Sequence, residues 1–113
     1  MVHTSTRSAV EILLKTWMIC EATVNLQECL RRESKEVFHR FKACAGRCFD
    51  AARELMENGD LDYEERVACL VECQTCMHIC RQYGHVPEIA FCGSVCETCV
   101  SVFGVNIFYT QLN

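Results

Sequence analysis

The sequence predicts an all-α fold, arranged as an antiparallel up-down-up-down four-helix bundle with a cysteine-lined core. Three observations support this prediction: apolar residues recur every three or four positions, no segment alternates as a strand would, and the chain has one proline, Pro87. Long helices joined by short connections favour antiparallel packing of neighbours. The 113 residues fit a single domain, 1–113, because one core serves a chain of that length. The predicted helices span about 5–31, 35–58, 62–83 and 87–108.

Each predicted helix has boundary signals and an apolar stripe. The NGD sequence at 58–60 stops the second helix. Asp60 or Asp62 can cap the third helix, which ends at Gly84. Pro87 suits the first turn of the fourth helix, since the N–H that proline lacks has no partner there. The stripes comprise, helix by helix, Val10, Leu13, Leu14, Trp17, Cys20 and Val24; Val37, Phe41, Cys44, Cys48, Ala51 or Ala52, and Leu55; Cys69, Cys73, Cys76 and Cys80; and Ile89, Cys92, Cys96, Cys99 and Phe103.

Cysteine is the unusual component, at 11 of 113 residues. In a short secreted chain this density would indicate a disulfide framework. Glu11 and Lys15 interrupt the apolar character of the first twenty residues, however, so no signal peptide is predicted and we expect a cytoplasmic protein. In a reducing compartment, dense cysteine indicates metal binding or thiol chemistry.

Several classes of function are disfavoured by composition. With 15 acidic and 11 basic residues and no basic run, the chain is not expected to bind nucleic acid. No apolar run approaches the length of about 18 residues that a membrane helix needs. Paired carboxylates, a glycine-rich phosphate loop and a serine–histidine pair are all missing, so we expect a protein without enzymatic activity.

The spacing of the cysteines is more informative than their number. The run CLVECQTCMHIC, at 69–80, places cysteines at steps of four, three and four residues, which return a helix to nearly the same bearing. Each line of cysteines coincides with the stripe expected to face the core, whereas Cys29 lies about 180° from Cys20. The thiols predicted to point inward are Cys20, Cys44, Cys48, Cys69, Cys73, Cys76, Cys80, Cys92, Cys96 and Cys99.

Metal binding explains this spacing better than disulfides do. Residues three or four apart on a helix have Cβ atoms about 5–6 Å apart, too far for an unstrained disulfide. Two sulfurs sharing one ion can lie up to about 4.6 Å apart, given metal–sulfur bonds near 2.3 Å. Zinc prefers a closed four-ligand cage and iron–sulfur clusters a wrapped loop, whereas soft Cu(I) accepts two or three thiolates. Multiple Cu(I) ions are therefore the predicted ligand.

Three alternatives stay open at this point. The chain can be a zinc or iron–sulfur protein, or a structural or interaction bundle with incidental thiols that act as small buried hydrophobes. The C-x-x-C pairs Cys73/Cys76 and Cys96/Cys99 can also suggest thiol–disulfide exchange. They lie in the middle of predicted helices, away from an N-terminus that would lower a thiol pKa, which disfavours that activity.

The cysteine motifs resemble those of a known family. CLVECQTCMHIC, with CAGRC on the preceding helix and CGSVCETC on the following one, closely resembles the cysteine-rich four-helix-bundle copper-binding proteins, including the bacterial cytosolic copper storage proteins. The resemblance covers essentially the whole chain and implies storage or sequestration of Cu(I), often in a homo-oligomer. A copper-delivery protein is a further expected partner. It departs from the family on the first helix, where only Cys20 points inward, which implies a lower capacity.

Residues around the thiols receive secondary predictions. The resemblance implies that His85, in the joint after Gly84, receives incoming copper. His39 and His78 lie well off the cysteine lines. Met77 lies about 40° from the line through Cys73 and can lend a thioether, although packing is the expected role. The thiols are expected to fill one half of the core. The other half is expected to contain Val10, Leu13, Leu14, Leu55, Met56, Phe103 and Ile107.

Overall fold

Four helices make up the regular structure of the chain. A computed structural model describes residues 4–26 and 35–112, and the side chains of 6–26 and 35–103. Within those ranges there is no strand, so the predicted all-α class is confirmed. The helices are α1, Thr4–Leu26; α2, Lys35–Asn58; α3, Tyr63–Gln82; and α4, Pro87–Leu112.

The connection between α2 and α3 follows its local chemistry. Gly59 adopts a positive φ of 75° and donates its N–H to the carbonyl of Leu55 at 2.8 Å, which ends α2 at the predicted residue. Asp62 is the N-cap of α3, because its Oδ1 accepts the N–H of Glu65 at 2.8 Å. Asp60, the other predicted cap, instead pairs with the guanidinium of Arg66.

The first and last helices, α1 and α4, differ from their predicted bounds. The structure has α1 beginning at Thr4, and the predicted last turn of this helix, with Cys29, lies outside the described residues. Helix α4 continues to Leu112 instead of ending near Phe108. Neither glycine nor proline follows Gly104 in the sequence, so nothing in its local chemistry stops the helix earlier.

Each helix packs against two neighbours, which makes the fold a four-helix bundle. Helix α1 contacts α2 and α4, and α3 contacts the same two helices. Most positions of the predicted stripes are buried, including all those of α2 and α4. The periodicity of apolar residues therefore identified the inward faces correctly.

One part of the core is made of hydrocarbon side chains, and we call it the hydrocarbon end. Its members Leu13, Leu55, Leu61 and Phe103 are all buried. The prediction that Met56 belongs here is wrong, because this side chain is 58% exposed. It follows Leu55 by one residue, and a turn of about 100° carries it off the inward face. Val10 and Leu14 are half-buried against the core, and the side chain of Ile107 lies outside the described residues.

Helix α1 carries two buried hydroxyls that its apolar stripe did not predict. Thr16 and Thr23 are 0% and 3% exposed. Each donates its hydroxyl to the carbonyl four residues earlier, on Ile12 and Ile19, at 2.7 Å. Because these bonds lie within the helix, the hydroxyls are satisfied without a partner from another helix.

Candidate metal centre

Ten buried thiols occupy the middle of the bundle, and we call this set the sulfur column. Every one is a free cysteine and is at most 2% exposed. All four helices contribute to it, α1 through Cys20 alone. The members are the ten cysteines predicted to point inward: Cys20, Cys44, Cys48, Cys69, Cys73, Cys76, Cys80, Cys92, Cys96 and Cys99.

The sulfur of Cys73, on α3, contacts sulfurs on two other helices. Its Sγ lies 3.5 Å from that of Cys48 and 3.8 Å from that of Cys44, both on α2. The Sγ of Cys99, on α4, is also 3.8 Å away. A position on α3 thus joins the thiols of α2 to those of α4.

The single thiol of α1 is also in contact with the column. The Sγ of Cys20 lies 3.7 Å from that of Cys92 on α4. One turn earlier on α1, Thr16 is buried on the same face. Helix α1 therefore presents one sulfur where each of the other helices presents a line of them.

The thiols form three groups in which all the sulfur atoms lie within 4.8 Å of one another. Two of these groups share a member with the third: Cys44 links the first to the second, and Cys76 links the first to the last. Ions held in adjacent groups would therefore be bridged by common thiolates. The groups are Cys20, Cys44, Cys76 and Cys96; Cys44, Cys48 and Cys73; and Cys76, Cys80 and Cys92.

The sulfur separations suit metal coordination. A disulfide requires about 2.05 Å between sulfurs, whereas two ligands of one ion can lie up to about 4.6 Å apart. The sulfur–sulfur contacts of 3.5–3.8 Å between helices fall within the second range. Thiolates are soft ligands that select Cu(I), zinc or iron–sulfur clusters over hard cations. The site can hold soft metal ions.

Contacts between thiols shift their pKa values in opposite directions. Contact with Cys44, together with burial, raises the pKa of the Cys48 thiol. Contact with Cys48 lowers the pKa of Cys69 and of Cys99, because a neutral thiol can donate to their sulfurs. Coupled groups of this kind lose their protons in successive steps instead of together. A metal ion that replaces the protons would meet some thiols that ionise more readily than others.

The three histidines that the structure describes lie outside the three sulfur groups. His85 is exposed in the joint between α3 and α4, with its ring centroid 6.5 Å from that of Tyr83. His39 and His78 are exposed, as their bearings predicted. Met77 is half-buried against the core, and its Sδ accepts from the Arg81 guanidinium at 3.7 Å. The receiving role of His85 stays a prediction.

Gly93 packs against the sulfur column, and the cysteine motifs did not predict this role. A Cβ atom at this position would lie 2.8 Å from the Cβ of Cys80, so a side chain there would displace one of the two helices. The signal was present in the sequence as a glycine in the middle of a helical pattern, which marks a close approach. Gly93 lets α4 pack directly on a member of the sulfur column.

The chain is therefore a four-helix bundle with linked groups of buried free thiols that could bind metal ions. No family model, curated protein or solved structure matches the chain. The resemblance to copper storage proteins therefore stays a prediction from the motifs. Within the described ranges, no helix is both long enough and apolar enough to cross a membrane.

Proposed function

We propose that this protein binds and stores several Cu(I) ions along its sulfur column, in a cytoplasmic compartment that keeps thiols reduced, and that it has no enzymatic activity. The observation that carries the proposal is the sharing of Cys44 and Cys76 between groups of sulfur atoms. Shared thiolates allow one continuous chain of metal ions where separate sites would allow isolated ions. Storage requires that one small protein bind several metal ions.

The order of contacts supports the antiparallel arrangement on which this column depends. Cys73 of α3 contacts Cys99 of α4, whereas Cys80, two turns later on α3, groups with Cys92, two turns earlier on α4. Contacts in which residue numbers rise along one helix while they fall along the other are typical of antiparallel neighbours. Such neighbours keep their lines of cysteines side by side over several turns.

The coordination numbers favour copper over zinc. Zinc binds four ligands in a closed tetrahedron, and the group that contains Cys20 and Cys96 has four sulfurs within reach. One zinc ion there would leave six of the ten thiols unused. Cu(I) accepts two or three sulfurs and so can also use the three-membered groups. A single zinc ion at the four-sulfur group is the second candidate.

Anaerobic titration with Cu(I) against a competing coloured chelator tests the storage function. We expect at least one ion for each of the three sulfur groups. Binding of fewer than two equivalents by the reduced protein would contradict storage. A parallel titration with zinc separates the second candidate, which predicts one tightly bound zinc ion and little Cu(I).

A matched pair of variants ties capacity to the shared thiols. Replacing both Cys44 and Cys76 by alanine removes the two links between groups and is expected to lower the number of bound ions. Thr23→Val is the control, since it changes a buried side chain of similar size without removing sulfur. If the double variant keeps the full capacity, the column is not the store.

The partners expected from the resemblance are part of the proposal. We propose that the protein assembles as a homo-oligomer and receives copper from a delivery protein. Sedimentation of the reduced protein, with and without copper, tests the first of these. Transfer of Cu(I) from a thiol-bearing donor protein without release to a chelator tests the second.

A further inference from the structure

A groove on the surface between α3 and α4 reaches the sulfur column, and we call it the α3–α4 groove. Its volume is about 300 Å³. Cys80 forms part of its wall and also belongs to the group with Cys76 and Cys92. A buried member of the column is therefore next to an open cavity. The groove is lined by Met77, Cys80, Arg81, Gly84, Ala90, Gly93, Ser94 and Glu97.

Two neighbours of Cys80 give the groove its character. Gly93 contributes no side chain, so α4 approaches Cys80 closely, and both residues line the groove. Met77 contributes a thioether one turn before Cys80 on the same helix. The two sulfur-bearing side chains are neighbours on the helix surface at this spacing. Thioether and thiolate are both ligands that select Cu(I).

Hydrocarbon side chains cover the column in other directions. On α1 and α2, Val24 and Phe41 occupy the inward positions one turn beyond Cys20 and Cys44, on the side away from the hydrocarbon end. Their side chains are 6% and 2% exposed. At the opposite side the hydrocarbon end closes the core. On α3 and α4 the corresponding inward positions are Cys80 and Cys92. The column thus extends one turn further on α3 and α4, beside the groove that Cys80 lines.

We propose that Cu(I) enters the column sideways through the α3–α4 groove, with Met77 as its first ligand and Cys80 as its second. This inference rests on the proposed copper function and names the loading route of that site. The ion binds the Met77 thioether, then forms a bond to the Cys80 sulfur as the thiol proton leaves to water in the groove. Exchange onto Cys76 and Cys92 then carries the ion into the column: its bonds to Met77 and Cys80 break, one proton of the new ligands passes to the Cys80 sulfur and the other leaves to water. Cys80 is then a free thiol for the next ion.

The charges at the groove agree with recognition by sulfur. Arg81 and Glu97, of opposite charge, both line it. The Arg81 guanidinium contacts the Met77 sulfur at 3.7 Å, and this exposed side chain can move aside into water. Because the two charges offset each other, attraction of cations in general is weak here. Selectivity then comes from the softness of the two sulfurs.

A plug in the groove tests the route. Ser94 is an exposed lining residue outside the sulfur column, and Ser94→Phe would fill the cavity. We expect the variant to take up Cu(I) from a coloured chelator about tenfold more slowly or worse, since the ion must then await local opening of the bundle. The final number of bound ions stays that of the wild type. Stopped-flow absorbance measures the rate, and equilibrium titration measures the capacity.

Ser101→Phe is the matched control. Ser101 is exposed on nearly the same face of α4, about 10 Å from Ser94, and it is not among the lining residues of the groove. We expect its uptake rate to equal that of the wild type. Equal rates for Ser94→Phe and Ser101→Phe would overturn the proposed route.

A second pair of variants tests the first ligand. Met77→Leu keeps the volume but removes the thioether, and it is expected to slow uptake without changing capacity. Met56→Leu is the control, because Met56 is 58% exposed and lies on another helix. Unchanged uptake by Met77→Leu would remove this residue from the route.

His85→Ala distinguishes the groove from the joint between α3 and α4. If His85→Ala slows uptake and Ser94→Phe does not, copper enters at the joint and the groove proposal is wrong. If the wild type binds fewer than two equivalents, the storage function itself fails. Several equivalents bound at equal rates by plugged and unplugged proteins would contradict the route alone.

Discussion

The sulfur column and the hydrocarbon end are buried to similar extents, but their side chains contribute differently to folding. Burial of a leucine or phenylalanine side chain stabilises a fold by about 1.5–3 kcal/mol. Cysteine is a smaller hydrophobe and contributes less. Phe103 and Leu13 therefore stabilise the bundle without metal, whereas the thiols would stabilise it further if a metal ion joined them.

The hydrocarbon end therefore contributes mainly stability, and the sulfur column contributes groups that could bind metal. A core of leucine throughout would be more stable but could not bind an ion. The helices bring the column together from four directions, and the hydrocarbon end supplies packing that does not depend on metal.

Loading with Cu(I) is expected to stabilise the protein most. Binding to the folded state alone adds about 4 kcal/mol for one site when the free ion is at 1,000 times its Kd, and several sites add more. Thermal unfolding of the reduced protein, with and without Cu(I), measures the shift. Mg²⁺ is the control, because this hard cation does not favour thiolates. Equal melting temperatures with and without Cu(I) would remove the distinction between the two regions.

Phe103→Ala is expected to destabilise the metal-free protein by about 3–5 kcal/mol, as large-to-small changes at buried aromatic positions do. The side chain is 2% exposed in the hydrocarbon end. Urea denaturation of the reduced protein measures the change. The number of Cu(I) ions bound per folded molecule should stay that of the wild type. A lower capacity would show that the two regions are not independent.

Lowering the pH is expected to weaken copper binding without a matching loss of the stability that packing of the hydrocarbon end provides. Thiols release protons when they bind metal, so affinity falls as the pH falls. Below the thiol pKa, each displaced proton is worth about 1.4 kcal/mol per pH unit. Titrations against a chelator at several pH values measure this slope, and proton release in weakly buffered solution gives the count. A capacity and affinity independent of pH would contradict thiolate coordination.

Cys73→Ala is expected to have the smallest effect on the metal-free fold, about 1 kcal/mol, because alanine replaces a small buried side chain. Its effect on capacity should be larger, since three other thiols lie within 3.8 Å of this sulfur. Urea denaturation and Cu(I) titration of one preparation give both quantities. The opposite result, a large loss of stability with unchanged capacity, would assign Cys73 to packing.

Much of the fold was predictable because it depends on local chemistry. Asp62 caps α3, and the glycine after Asn58 ends α2 at the predicted residue. All ten inward thiols were identified from spacing, since a step of three or four residues repeats a bearing on any helix. Met56 was misplaced because it borders the stripe, where one residue of rotation moves a side chain from core to solvent.

Residue spacing along the chain was enough to specify which face of each helix carries sulfur. Only the tertiary structure decided that Cys20 meets Cys92, that Cys73 joins α2 to α4, and that Cys80 borders an open groove beside Gly93. Periodicity sets the bearing of a side chain about its own helix axis. The rotation and axial shift of one helix against another depend on how all the side chains between them interlock, which no single segment specifies.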